Sequence, residues 1–295
     1  MENVFKKAEK TQSKLRAALF GPPGSGKTMT ALRMATGLAG CEKIAVIDSE
    51  HGTASKYSDR YAFDVLNLKC KDIDEYTAAI KAAGDAGYPV LVIDSLSHAW
   101  QELVEDVEEI AKKRYGGNTF RAWGEGTPKQ RDFTETILSY PGHVIATMRS
   151  KIEYAVERDD KNKTTIEKKG LAPEQGKAIE YEFDLLMELS QSHQAFISKD
   201  RSGKYQDKYY DRPGEELGKE MGLWLSEGKP ASKEEEKSKA KEQTPQEKNK
   251  AELYAECLKQ GIKIDADAMK KLSIEQQITE MTTALMAKKK EETKK

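Results

Sequence analysis

Eight residues constrain this chain more than any others: Gly21, Pro22, Pro23, Gly24, Ser25, Gly26, Lys27 and Thr28. They fit the pattern G-x-x-x-x-G-K-[ST]. An apolar run, LRAALF, leads in, and an amphipathic stretch, MTALRMATGLAG, leads out. A strand entering and a helix leaving is the context this pattern requires. The glycines let backbone N–H groups close around phosphate oxygens with no Cβ in the way. The helix N-terminus adds its dipole. Lys27 is placed to neutralise the β- and γ-phosphates of ATP, and Thr28 to hold Mg2+. The expected nucleotide-binding stretch therefore runs from Gly21 to Met29.

Four further features fit a nucleotide site. Pro89-Val-Leu-Val-Ile-Asp94 is an apolar strand ending in an acid, the pattern of a carboxylate that holds Mg2+ through water. Lys43-Ile-Ala-Val-Ile ends in Asp48-Ser49-Glu50-His51-Gly52. Glu50 thus lies at the C-terminal edge of a strand, where ligand crevices of open α/β sheets form. It can orient and deprotonate a water in line with the γ-phosphate, or simply cap the next helix. Thr147 ends the strand His143-Val-Ile-Ala-Thr147, and reads either as a sensor of the γ-phosphate or as an ordinary strand-end threonine. Lys199 and Arg201 follow the last strand of the series, just before a Ser202-Gly203 turn.

Short apolar runs alternate with helical periodicity up to about residue 227. Strands are expected at Leu15–Phe20, Ile44–Ile47, Phe63–Leu66, Val90–Ile93, Val144–Thr147, Phe183–Leu189 and Gln194–Ser198, the last two as an antiparallel pair. Helices are expected at Lys27–Leu38, Ile73–Ala86, Ser95–Lys113 and Pro128–Leu138. This alternation implies an α/β fold, a mostly parallel sheet covered on both faces.

Residues 228–250 carry no large apolar side chain and read as a charged, disordered linker. Beyond it, residues 251–290 read as a small helical unit. Leu253, Cys257 and Leu258 form one stripe, ended by Gly261. Ser273 and Gln276 have capping-box spacing, and Ile274, Ile278, Met281 and Leu285 form a second stripe.

Composition narrows the function classes. The 295 residues carry 49 Lys+Arg against 50 Asp+Glu. That excludes a globally basic nucleic-acid coat protein but not a local basic groove. No apolar run approaches a membrane span, and the opening MENVFKKAEK lacks the apolar stretch of a secretory signal. Cys41, Cys70 and Cys257 are far apart and odd in number, which suits a reducing compartment. The expectation is a soluble cytoplasmic protein.

Two segments interleave cations with aromatics or glycines, the composition that binds single strands by phosphate tracking and base stacking. Lys112 to Gly124 holds Arg114, Tyr115, Phe120, Arg121 and Trp123. Arg149 to Gly170 holds Arg149 and Lys151 among seven Lys/Arg and five acids, with Tyr154. Phe120 and Trp123 could equally be core residues, and the second segment a solvated hairpin.

The segments IAVIDSEHG, LVIDSLSHAW and HVIATMRSK, in this order after the phosphate loop, resemble RecA-type recombinases. Over residues 12–226 the chain looks like the short RecA-like ATPases encoded by bacteriophages and prophages. That resemblance implies a RecA-like P-loop core in residues 1–227, with Glu50 in the place of the catalytic glutamate. It implies trans-acting fingers at Lys199 and Arg201, and a homo-oligomer, ring or filament, on single-stranded DNA in recombination or annealing. In a RecA protein a glutamine follows the strand that ends here at Thr147; this chain has Met148 and Arg149. The terminal unit is a candidate to recruit a single-strand-binding protein or a replication partner. A nucleotide-gated adaptor such as a helicase loader is the alternative. A small-molecule kinase ranks third, for want of an Arg-rich lid.

Overall fold

The computed structural model describes residues 7–40, 42–158, 164–176, 179–230, 253, 257 and 274–292. Cys41, Leu258, Gly261, Ser273 and nearly all of the expected linker lie outside them. Two compact units, Met1–Ala231 and Ser232–Lys295, are each described by themselves.

In the first unit, strand β1 (Arg16–Gly21) is buried at every position. Its side chains alternate between the two faces of the sheet. Ala17 and Leu19 join one core cluster, and Ala18 and Phe20 the other. The same two-sided burial holds for β2 (Ile44–Asp48) and β4 (Val90–Asp94). Uninterrupted Val, Ile, Leu and Ala is what such strands need. β3 (Asp64–Asn67) is an exposed edge. β5 (His143–Arg158) pairs β4 on one side and β1 on the other. β7 (Leu185–Leu189), β8 (Gln194–Asp200) and β9 (Tyr209–Asp211) complete the order β3-β2-β4-β5-β1-β7-β8-β9. The strands from β3 to β7 are parallel, and β7-β8-β9 is antiparallel, as expected for its first pair.

Helices cover both faces. On one side α1 (Lys27–Ala39) packs against α6 (Glu215–Ser226). A Cβ at Gly218 would collide with the Met34 carbonyl, so glycine permits this close approach. On the other side lie α2 (Ile73–Asp85), α3 (Leu96–Arg114) and α4 (Thr119–Leu138), with short α5 (Ile179–Glu182) before β7.

Two expectations change. The loop expected over Lys112–Gly124 is instead the end of α3, a turn at Tyr115–Asn118, and the first turns of α4. Asn118 caps α4 by accepting from the Arg121 N–H at 3.1 Å. Gly124, Gly126 and Pro128 lie inside that helix, expected to start only at Pro128. For Arg149–Gly170 the hairpin alternative holds in place of an open loop: β5 continues past Thr147 and pairs antiparallel with β6 (Thr164–Pro173), with an irregularity at Glu153/Tyr154.

In the second unit, α7 (Ile274–Glu292) buries Met281 and Leu285 with Cys257, and Leu253 packs against them. No helix among the described residues is long and apolar enough to cross a membrane.

Candidate functional site

Parallel packing brings the C-terminal ends of β1, β2, β4 and β5 to one edge of the sheet, and the candidate residues sit there. Gly26 caps α1 with φ +86°, a conformation that favours glycine, and no side chain caps the helix. The first N–H groups of α1 are thus left for an external acceptor. Lys27 Nζ donates to the carbonyls of Gly21 and Pro22 at 3.0 and 3.1 Å. Burial pushes its pKa down, and the carboxylates of Asp94 and Glu50 oppose that. Ser25 Oγ is buried with no hydrogen-bond partner. An uncapped helix start, a half-buried lysine and an orphaned hydroxyl together fit a phosphate chain.

Asp94, 2% exposed, is the hub of the site. Its Oδ2 accepts from Thr28 Oγ1 at 2.6 Å, and its Oδ1 accepts a short hydrogen bond from Thr147 Oγ1. Burial raises its pKa, while these two hydrogen bonds pull it back. The Thr28 hydroxyl and the Asp94 carboxylate are hard oxygen donors of the kind Mg2+ takes. Among the described residues no group of three or more His, Cys, Asp or Glu could hold a metal. A cation on Thr28 and Asp94 would take its other oxygens from phosphate and water.

Glu50 faces this hub from the end of β2. Asp48 braces its loop, accepting from the N–H groups of Glu50 at 2.6 Å and Ala54 at 2.8 Å. The Glu50 carboxylate does not cap a helix. It accepts from Ser95 Oγ at 3.3 Å and from Arg149, whose Nη2 lies 3.0 Å from Oε1 and 3.1 Å from Oε2. Arg149, a candidate for nucleic-acid contact, thus has its guanidinium on Glu50, among the candidate nucleotide-site residues.

Sequence reasoning missed His98, in the first turns of α3. Arg149 Nη2 lies 2.7 Å from its Nε2, and Ser49 Oγ lies 2.7 Å from its Nδ1. A guanidinium only donates, so Nε2 accepts and the proton sits on Nδ1, which donates to Ser49. Burial, foremost, lowers the His98 pKa, Arg149 adds to that, and Glu50 opposes it. Ser49 Oγ in turn accepts from the Ser95 N–H at 2.9 Å. His193 was also missed. It lies on the β7–β8 turn, with Nδ1 3.2 Å from the Ser25 carbonyl, against the phosphate loop.

The other candidates lie elsewhere. Asp200 and Lys199 pair with Leu185 and Leu186, and Leu185 pairs with Ala17. Ala17 precedes Gly21 by roughly 13 Å of strand at about 3.3 Å per residue. Lys199 and Arg201 therefore sit at the sheet edge opposite the phosphate loop of their own chain. Lys199 Nζ donates to the carbonyls of Glu180 and Tyr181 at 2.7 and 2.8 Å, and its pKa is lowered, chiefly by burial. Arg201 pairs with Asp184 at 3.2 Å and donates to the Tyr181 carbonyl.

The segment around α3–α4 splits in two. Trp123 stacks on Trp100 at 5.5 Å and packs against a small core cluster. Arg114 and Tyr115 both bond Glu125, at 2.9 Å each. Phe120 is 88% exposed, and Arg121 is exposed beside it. Lys151 is exposed near the start of the β5–β6 hairpin, whose residues 159–163 lie outside the described ones; the side chain of Tyr154 is likewise outside them.

A family model described as an AAA domain matches residues 13–211. That span contains β1 to β9 and every candidate residue named above. No curated protein matches the chain.

Proposed function

The chain belongs to the AAA-domain family, and on that premise we propose that it is an ATP hydrolase of the RecA-like kind that phages and prophages encode, acting on single-stranded DNA in recombination or annealing. The observation that carries the reading is the convergence on Asp94. Thr28 and Thr147 each give one hydroxyl to this buried carboxylate, and Glu50 stands at the end of the neighbouring strand.

The division of labour follows from charge and position. Lys27 leaves the Gly21 and Pro22 carbonyls for the β- and γ-phosphates. The α1 N-terminus and the glycine-rich loop bind the phosphate chain through N–H groups. Thr28 and Asp94 hold Mg2+, which when bound supplies positive charge to the β- and γ-phosphates. Thr147 holds Oδ1 of Asp94, which would leave Oδ2 and the Thr28 hydroxyl to hold the cation. Glu50 takes a proton from the attacking water. Phe120 and Arg121, the exposed members of their segment, supply a stacking face and a cation for a single strand.

Lys199 and Arg201, at the far sheet edge of their own chain, fit a site only if they reach a neighbour's. That is the geometry a ring or filament provides.

The test is ATP hydrolysis by purified protein with and without single-stranded DNA, alongside its mass by light scattering. Stimulation together with growth into a ring or filament supports the reading. Turnover indifferent to DNA, from a monomer or small oligomer, replaces it with the nucleotide-gated adaptor. No turnover in the presence of Mg2+ removes the hydrolase.

A further inference from the structure

A carboxylate that is to accept a proton from water needs a free lone pair aimed at that water. In this structure Glu50 has little to spare. Arg149 Nη2 reaches both of its oxygens, and Nε lies 3.3 Å from Oε1, the oxygen that also takes Ser95 Oγ. The guanidinium is itself held. His98 Nε2 accepts from Nη2 at 2.7 Å, and His98 is fixed through Nδ1 on Ser49. The backbone of Arg149 is fixed too. Its N–H donates to Ser97 Oγ at 2.9 Å, and its carbonyl accepts from the Glu174 N–H at 2.7 Å. Four elements, β2, α3, β5 and the segment after β6, thus converge on one ion pair.

We propose that Arg149 is a positioning residue that keeps Glu50 paired and idle, so that hydrolysis begins only when the guanidinium is withdrawn. This rests on the reading of Glu50 as the base. It goes beyond that reading by assigning the site a restrained resting state, with Arg149 as the restraint and His98 as the peg that orients it. The pair is half-exposed: the Arg149 side chain is 41% and that of Glu50 28% exposed. An ion pair in such a setting is weak enough to open on each turnover. Lysine cannot reproduce the contact. It keeps the charge, but it is shorter and lacks the Nε–H that also reaches Oε1.

The experiment measures steady-state ATP hydrolysis, without nucleic acid, for wild type, Arg149→Gln, Arg149→Lys, Glu50→Gln and the Arg149→Gln/Glu50→Gln double variant. Binding of a fluorescent ATP analogue serves as the check on folding. The proposal expects kcat of Arg149→Gln to rise roughly two- to fivefold, the factor a pair of this exposure is worth, with KM unchanged. It expects Arg149→Lys to fall between the two, which also carries the test if Arg149→Gln does not fold. In the Glu50→Gln background, Arg149→Gln should do nothing. A fall in kcat on Arg149→Gln, in a variant that still binds the analogue, overturns the proposal, because the guanidinium then assists the chemistry. A rise in KM alone overturns it too, since Arg149 then binds nucleotide. Stimulation that persists in the double variant overturns it because the effect then bypasses the Glu50 carboxylate. Full turnover by Glu50→Gln alone is a separate failure, of the general-base reading itself.

Discussion

Replacing Thr147 with valine isolates one hydrogen bond at the hub of the site. Valine keeps the β-branched shape and the strand preference of threonine, so the main change is a lost hydroxyl. That hydroxyl is fully buried and donates to Oδ1 of Asp94, itself 2% exposed. A hydrogen bond to a charged group contributes about 1.5–3 kcal/mol, and water cannot replace the donor at this depth. The expected loss is therefore about 2 kcal/mol at pH 7.5, on the order of a thirtyfold shift in the unfolding constant. Urea unfolding followed by tryptophan fluorescence would read it. The loss also has a pH signature. The hydroxyl favours ionised Asp94, so its contribution is complete while the group is ionised and fades as falling pH protonates it. Burial raises the Asp94 pKa, so the fading begins above the ordinary carboxylate range. A double-mutant cycle with Asp94→Ala should return a coupling of at least 1 kcal/mol. A loss under about 0.5 kcal/mol, or one unchanged when Asp94 is absent, would refute the claim that this hydroxyl holds the carboxylate.

Glu50→Gln should bind ATP like wild type in a filter-binding assay while turnover falls on the order of a hundredfold or more, and Lys27→Ala should fail to bind in that assay. His143 gives a stability effect unconnected with the site. Burial, aided by Lys14 and Arg16, pushes its pKa down to about 4, and its Nδ1 accepts from the Leu15 N–H at 3.0 Å. Between pH 6.5 and 4 the unfolded chain takes up a proton that the fold refuses, so stability falls with falling pH. The total is about 3 kcal/mol, and comparing His143→Gln with wild type across that window by urea unfolding isolates it. Trp123→Ala should cost about 3 kcal/mol of stability, because its ring is stacked on Trp100. Phe120→Ala, at an 88% exposed position, should leave the unfolding midpoint in place and weaken single-strand affinity by about 1–3 kcal/mol.

What could be read from the sequence was what is local or periodic. The phosphate loop is contiguous, and β4 announces itself as VLVID because a strand buried on both faces has no polar option. Glu50 could be placed at a strand end, although its partner could not. Arg149 lies 99 residues away, and only the sheet order brings it across. His98 reads as one more residue of an amphipathic helix, and nothing in LSHAW shows that β5 passes its ring. The start of α4 was hidden by its own composition. Gly126 looks like a breaker, yet a Cβ there would press on Val107 and Trp123. α6 was lost the same way, since Gly218 and Gly222 weaken its periodicity, while Gly218 permits its approach to α1. β6 pairs with a charged partner strand and carries no period-two pattern strong enough to compete with a loop.

The strand order has one further consequence. β1, which carries the phosphate loop, and β4, which carries Asp94, share no hydrogen bond; each is laced to β5. The amides of Val144 to Ala146, paired on both sides, therefore cannot exchange with solvent by fraying at an edge, and their side chains are fully buried. Opening them means parting the sheet down its middle. Their deuterium uptake should report the global unfolding free energy, while the amides of the exposed edge strand β3 exchange far sooner. The alignment of β1, β5 and β4 under the candidate site is then lost only when the whole domain is lost, and a nucleotide that tightens the site should slow exchange through the entire core, not at the loop alone.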